Sequence, residues 1–165
     1  MKTWPKMYKK DVLDIDYDLL KKKGIKVLLF DLDNTLTVHK SFDLNKEFKP
    51  LFKRLKKDFT IYIVSNSLHT KKLDIVSKEL NVSYIGSAKK PFKHGFKKLN
   101  LSNPKEVAMI GDQVITDVWG ANRMGYFSIL IDPINKNEMV FTKLNRVLEN
   151  ISLKRNKLKR GDYYE

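Results

Sequence analysis

The order of patterns along these 165 residues predicts an α/β fold, a doubly wound parallel sheet built as one domain. Two observations carry that expectation. Short apolar runs of strand length alternate with stretches of helical period, and a polar cluster follows four of the five runs. KVLLF (26–30) is continuously apolar, as a strand covered on both faces should be. Phe48, Leu51, Phe52 and Leu55 fall at helical spacing, with the helix expected to start near Pro50. FTIYIV (59–64) is the next strand, and Leu73, Val76 and Leu80 mark a helix near 69–80. VSYI (82–85) is a shorter strand, followed by EVAMI (106–110). A helix is expected over 114–124, stopped by Gly125, and FSILI (127–131) closes the series. The domain should span 1–150, leaving ISLKRNKLKRGDYYE (151–165) as a basic tail that frays or lies on the surface.

Composition narrows the function classes. The chain is 42% hydrophobic and 32% charged, ordinary for a globular protein. It has no cysteine, so disulfides, thiol nucleophiles and Cys-based zinc sites are excluded. His39, His69 and His94 are scattered singly. No apolar run approaches the length of a membrane span, and the first residues lack a signal-peptide core, so a cytoplasmic location is expected. The formal charge of +14 draws polyanions: nucleic acid, an anionic membrane surface or a phosphorylated substrate. Five of the 33 basic residues are arginine, a small share for a nucleic-acid reader.

The chemistry collects where strands end. DLDNT (31–35) follows the first run, SNS (65–67) the second, KKP (89–91) the third and GDQVITD (111–117) the fourth. In a parallel sheet the carboxyl ends of the strands share one edge, where ligands bind. Asp31, Asp33, Asp112 and Asp117, together with Ser65, Asn66 and Lys90, should therefore face one crevice. Asp31 and Asp33 are two residues apart, so on an extended chain they share a face and repel by roughly 2–3 kcal/mol. Crowded carboxylates without His or Cys suit Mg²⁺, whose open positions phosphate oxygens commonly fill. Ser65 and Lys90 are placed to hold phosphoryl oxygens, so the set reads as phosphoryl transfer. A calcium loop beginning at Asp31 would need glycine and glutamate where Leu36 and Phe42 stand. A sugar-nucleotide transferase would leave GDQVITD and Lys90 unexplained.

The four clusters resemble, in order, the four motifs of the haloacid dehalogenase (HAD) superfamily of phosphohydrolases, and GDQVITDVWGANRMGYFSILIDP is similar to the YqeG family within its subfamily IIIA. That family is related to the mitochondrial phosphatidylglycerophosphate phosphatases. The resemblance implies a Rossmann-like HAD fold. It makes Asp31 the nucleophile of an aspartyl-phosphate and Asp33 the general acid and base. Thr35, Ser65, Asn66 and Lys90 would bind substrate. Mg²⁺ would sit on Asp31, the backbone carbonyl of Asp33, Asp112 and Asp117. The implied reaction converts phosphatidylglycerophosphate to phosphatidylglycerol.

Spacing bears on the substrate. The intervals from Thr35 to Ser65 and from Asn66 to Lys90 hold one crossover each, which leaves no room for a cap domain. An open crevice suits a bulky or surface-held phosphate. With positive charge it points to an anionic lipid head group and peripheral contact at the inner face of a membrane. Trp4, Met7 and Tyr8 then either touch lipid or pack against the sheet. The alternatives are a nucleic-acid end or another phosphorylated macromolecule as substrate, or a basic nucleic-acid-binding module with an inactive site.

Overall fold

A computed structural model describes residues 4–39, 41–135, 161 and 163–165. Six strands form one sheet: β1 (Met7–Lys9), β2 (Val27–Phe30), β3 (Thr60–Val64), β4 (Ser83–Ile85), β5 (Val107–Gly111) and β6 (Phe127–Ile131). Their order is β1-β6-β5-β2-β3-β4 and every pairing is parallel. The chain winds from β2 through β3 to β4, then returns to lay β5 on the other side of β2. The order reverses between β2 and β5, and there the crossovers leave a crevice at the carboxyl ends.

The α/β doubly wound expectation is met, and the period-two geometry of β2 explains it. Leu28 and Phe30 enter one apolar layer, with Phe48, Leu51, Phe52 and Leu55 of α2 (Phe48–Leu55) and Leu73, Val76 and Leu80 of α3 (Thr70–Leu80). Leu29 enters the opposite layer, with Met109, Phe96 and Ala121. That layer is covered by α4 (Lys93–Lys97) and α5 (Gly120–Met124). A continuously apolar strand is what two covered faces require.

α2 starts at Phe48, near Pro50 as expected, and Pro50 falls in the first turn, where no intrahelical N–H is needed. Two elements differ from expectation. β1, too short and too lysine-flanked to show in the pattern, pairs with β6, preceding α1 (Tyr17–Lys22). The helix expected over 114–124 is two pieces. Val114–Trp119 is a widened turn in which Val118 N–H donates to Gln113 O five residues back, and α5 follows, ending at Gly125 in the left-handed region (φ 81°).

Met7 and Tyr8 are buried, and the Trp4 ring stacks on Tyr164 at 5.6 Å, so this segment packs against the protein instead of facing lipid. Tyr8 and Tyr164 exchange backbone hydrogen bonds of 2.9 Å, so the last residues cover the β1 edge. The rest of the basic tail, 151–160 and 162, lies outside the described residues.

Candidate active site

β2 and β5 lie side by side, and the Asp31 N–H donates to Ile110 O at 2.9 Å, continuing their ladder one step beyond β2. That brings Asp31 and Asp112 together at the point where the strand order reverses. Asp117 comes back to the same point because the 114–119 turn is widened. Its carboxylate accepts from the Gln113 N–H at 3.1 Å. The turn fits only against glycine, since a Cβ on Gly111 would lie 2.3 Å from Asp117 Cγ. Oxygens of Asp31, Asp112 and Asp117 lie within 4.8 Å of one another, and all three residues are buried.

Lys90 neutralises part of this charge. Its Nζ donates to Asp31 Oδ1 and to Asp117 Oδ1, both at 2.6 Å, and the side chain is buried. The lysine is held by its own backbone. Asn66 donates to Lys90 O at 2.9 Å and accepts from Lys90 N–H at 2.7 Å. From behind, α4 presses on the same loop so closely that a Cβ on Gly95 would meet Ala88 O at 2.0 Å. Ser65 joins the loops after β3 and β4, its N–H donating to Ile85 O and its carbonyl accepting from Ala88 N–H. Asn66 thus supports Lys90, while the resemblance would have it touch substrate.

One ammonium among three buried carboxylates leaves net negative charge. Burial raises the Asp31 carboxyl to about 7; Lys90 opposes this, while Asp117 and, least, Asp33 add to it. Asp112 is also pushed well above the usual range, by burial and then by Asp31 and Asp117. For Lys90, burial favours the neutral amine, but Asp117 and Asp31 outweigh it and keep the group protonated. A cation would remove the strain on all three acids. Asp112 Oδ1 is buried with no hydrogen-bond partner, as a ligand atom reserved for such an ion would be. The donor set is all oxygen, so the residues fit a hard divalent metal.

Asp33 does not share this nest. The chain turns after Asp33: Leu36 and Thr37 N–H both donate to Leu32 O, and Asn34 sits at φ 63°. The Asp33 carboxylate accepts from Lys72 Nζ at 2.6 Å and lies 3.5 Å from His39 Nδ1. Lys72, buried on the first turn of α3, also donates to Val38 O at 2.9 Å, tying down the excursion between Thr37 and Leu44. Sequence reasoning missed Lys72. Its signal was a lysine on the apolar face of α3, four residues before Val76. Thr35 Oγ1 is buried with no partner beside this loop.

The comparisons agree with this geometry. The sequence profile of the mitochondrial PGP phosphatase family matches residues 2–135. The chain is 32% identical over 149 residues to a protein described as probable phosphatase YqeG from Bacillus subtilis, covering 88% of this chain and 86% of that one. It is 30% identical over 169 residues to phosphatidylglycerophosphate phosphatase 1, chloroplastic/mitochondrial, of Arabidopsis thaliana, covering 92% of this chain but 47% of that protein. Among solved structures, the HAD-hydrolase YfnB of Bacillus subtilis, bound to magnesium, superposes with a TM-score of 0.52. The overlap covers 78% of this chain and 98% of that one at 14% identity, which shows the fold alone.

Proposed function

The chain belongs to the mitochondrial PGP phosphatase family and is a HAD-type phosphatase, and we propose that it dephosphorylates phosphatidylglycerophosphate with Mg²⁺ through an aspartyl-phosphate on Asp31. The observation that carries this reading is the convergence of Asp31, Asp112, Asp117 and Lys90 at the strand-order reversal. Asp31, Asp112, Asp117 and the backbone carbonyl of Asp33 would hold the ion. When bound, it supplies positive charge to the phosphoryl oxygens.

The protein's own groups divide the work. An Asp31 oxygen attacks phosphorus, the bond from phosphorus to the leaving oxygen breaks, and Asp33 gives that oxygen a proton. Asp33 then takes a proton from water as the water oxygen attacks the acyl-phosphate, which frees phosphate and restores Asp31. Lys90, Ser65 and Thr35 hold phosphoryl oxygens, with Asn66 fixing the lysine loop. Separate partners for the two aspartates suit separate roles, because Asp33 can exchange protons at the mouth while Asp31 stays enclosed.

Residues 1–150 form one domain without a cap in this reading, which leaves the crevice open to a head group. No helix among the described residues is long and apolar enough to cross a membrane, and we place the chain in the cytoplasm, peripheral at the inner face of the membrane.

The test is a substrate panel. It compares phosphatidylglycerophosphate in detergent micelles, sugar phosphates, nucleotides and a phosphate-ended oligonucleotide. Highest turnover is expected on the lipid, abolished by EDTA, restored by Mg²⁺ and absent in a folded Asp31→Asn variant. Preference for a sugar phosphate or the oligonucleotide, or activity without metal, would overturn the reading.

A further inference from the structure

Among the described residues, four of the six exposed large apolar side chains follow the carboxyl ends of strands. Leu68 is 80% exposed, Phe92 62%, Phe42 45% and Ile134 44%. Each lies past the carboxyl end of a strand: Phe42 after β2, Leu68 after β3, Phe92 after β4 and Ile134 after β6. Leu68 stands three residues beyond Ser65, and Phe92 two beyond Lys90. The Ile134 N–H donates to Asn34 O at 3.0 Å, which holds it beside the loop of Asp31 and Asp33. Of the other two exposed large apolar side chains, Ile75 lies midway along α3 and Tyr163 bonds Asp132, just past β6.

Single exposed apolar residues are normal, but a ring of them around a charged crevice is not. Lys71, Lys89 and Lys93 are exposed on the same edge, at the starts of α3 and α4 and beside Lys90. The exposed acid next to Phe42, Asp43, accepts from Ser41 Oγ at 2.9 Å. Charge alone would also attract nucleic acid. Aliphatic side chains such as Leu68 and Ile134 offer no stacking face for bases, however, and they gain by leaving water for acyl chains.

We propose that this edge docks face-on against an anionic lipid bilayer, with Leu68 and Phe92 entering the head-group boundary and Lys71, Lys89 and Lys93 meeting lipid phosphates. The crevice of Asp31 and Lys90 then opens onto the head-group layer. This deepens the lipid-phosphate reading and rests on it for its purpose, but its test requires no turnover.

The full chain is sedimented with vesicles of phosphatidylglycerol and phosphatidylcholine, and with vesicles of phosphatidylcholine alone. Binding is expected on the anionic vesicles and should weaken with salt. Leu68→Ser with Phe92→Ser should lower partitioning by on the order of tenfold. Lys71→Gln, Lys89→Gln and Lys93→Gln together should lower it at least as much and flatten the salt dependence. Both variants should keep wild-type turnover of a small water-soluble phosphate ester. Because the chain lacks cysteine, an environment-sensitive dye reports position without those losses. Attached at Leu68→Cys it should shift to the blue on vesicles; attached at Lys78→Cys, near the far end of α3, it should not. Equal shifts at both positions would overturn the docking. So would unchanged binding of the Leu68→Ser, Phe92→Ser variant, or its equal displacement from vesicles by an oligonucleotide. Micellar phosphatidylglycerophosphate turned over by a chain that does not bind through this edge overturns the docking and leaves the substrate. Docking without lipid turnover overturns the substrate and leaves the docking.

Discussion

Two lysine–aspartate clusters stand a few residues apart and behave differently. Around Lys90, one ammonium faces Asp31, Asp117 and the neighbouring Asp112, all buried. Around Lys72, one ammonium faces one carboxylate, Asp33, that is partly open to water and near His39. The first is over-charged and enclosed, so Asp31 and Asp112 are pushed upward and an Asp112 oxygen is left without a partner. The second is balanced and satisfied, and its lysine also grips a backbone carbonyl of the excursion over the site. The same two residue types thus make a nest that fits a cation in one place and a mechanical tie in the other. What differs is the count of charges and the access of water.

Breaking the first cluster should have the larger effect. Lys90→Met leaves Asp31 and Asp117 buried against each other, so a loss of about 3–5 kcal/mol in urea unfolding is expected, with activity abolished. Adding Asp117→Asn should return part of the stability but none of the turnover. A Lys90→Met variant as stable as wild type would show that the acids are not held in mutual repulsion.

Breaking the second should cost less. Lys72→Met removes the partner of an aspartate that water can reach, so about 1–3 kcal/mol is expected. The steady-state readout is sharper: kcat should fall by about tenfold to a hundredfold as Asp33 loses its orientation, with Lys72→Arg restoring part of it. Equal loss in the arginine and methionine variants would reduce Lys72 to a packing residue.

A third test distinguishes the clusters by pH. Asp31 is raised from 3.8 to about 7, so the metal-free folded chain keeps a proton that the unfolded chain releases. That contribution is fully present below about pH 4 and is lost as pH rises through about 7. Unfolding of the metal-free protein across this window should show a decline of up to about 1 kcal/mol per pH unit that flattens in Asp31→Asn. An identical slope in the variant would assign the proton elsewhere.

Much of the first cluster was legible beforehand because its members sit directly at strand ends. Asp31, Ser65, Lys90 and Asp112 each follow an apolar run, and a parallel sheet sends all such ends to one edge. The second cluster was not legible. The Asp33 carboxylate accepts from Lys72, a contact between residues 39 apart that no strand end announces. Lys72 lies on a helix with no motif around it. Trp4, Met7 and Tyr8 offered two readings, and pairing between β1 and β6 chose packing.

By itself, then, the amino-acid sequence determined the α/β winding, the edge on which polar clusters gather and the candidates for phosphoryl transfer, because these follow from hydrophobic period and from what stands next in the chain. The tertiary structure alone decided which lysine meets which aspartate, that Asn66 serves Lys90, that Gly111 makes room for Asp117, and that Phe42, Leu68, Phe92 and Ile134 stay exposed. The hydrogen bonds of Asn66, Lys72 and Lys90 among these join residues from 24 to 59 positions apart, and no local pattern encodes a contact made only when separate loops close on one point.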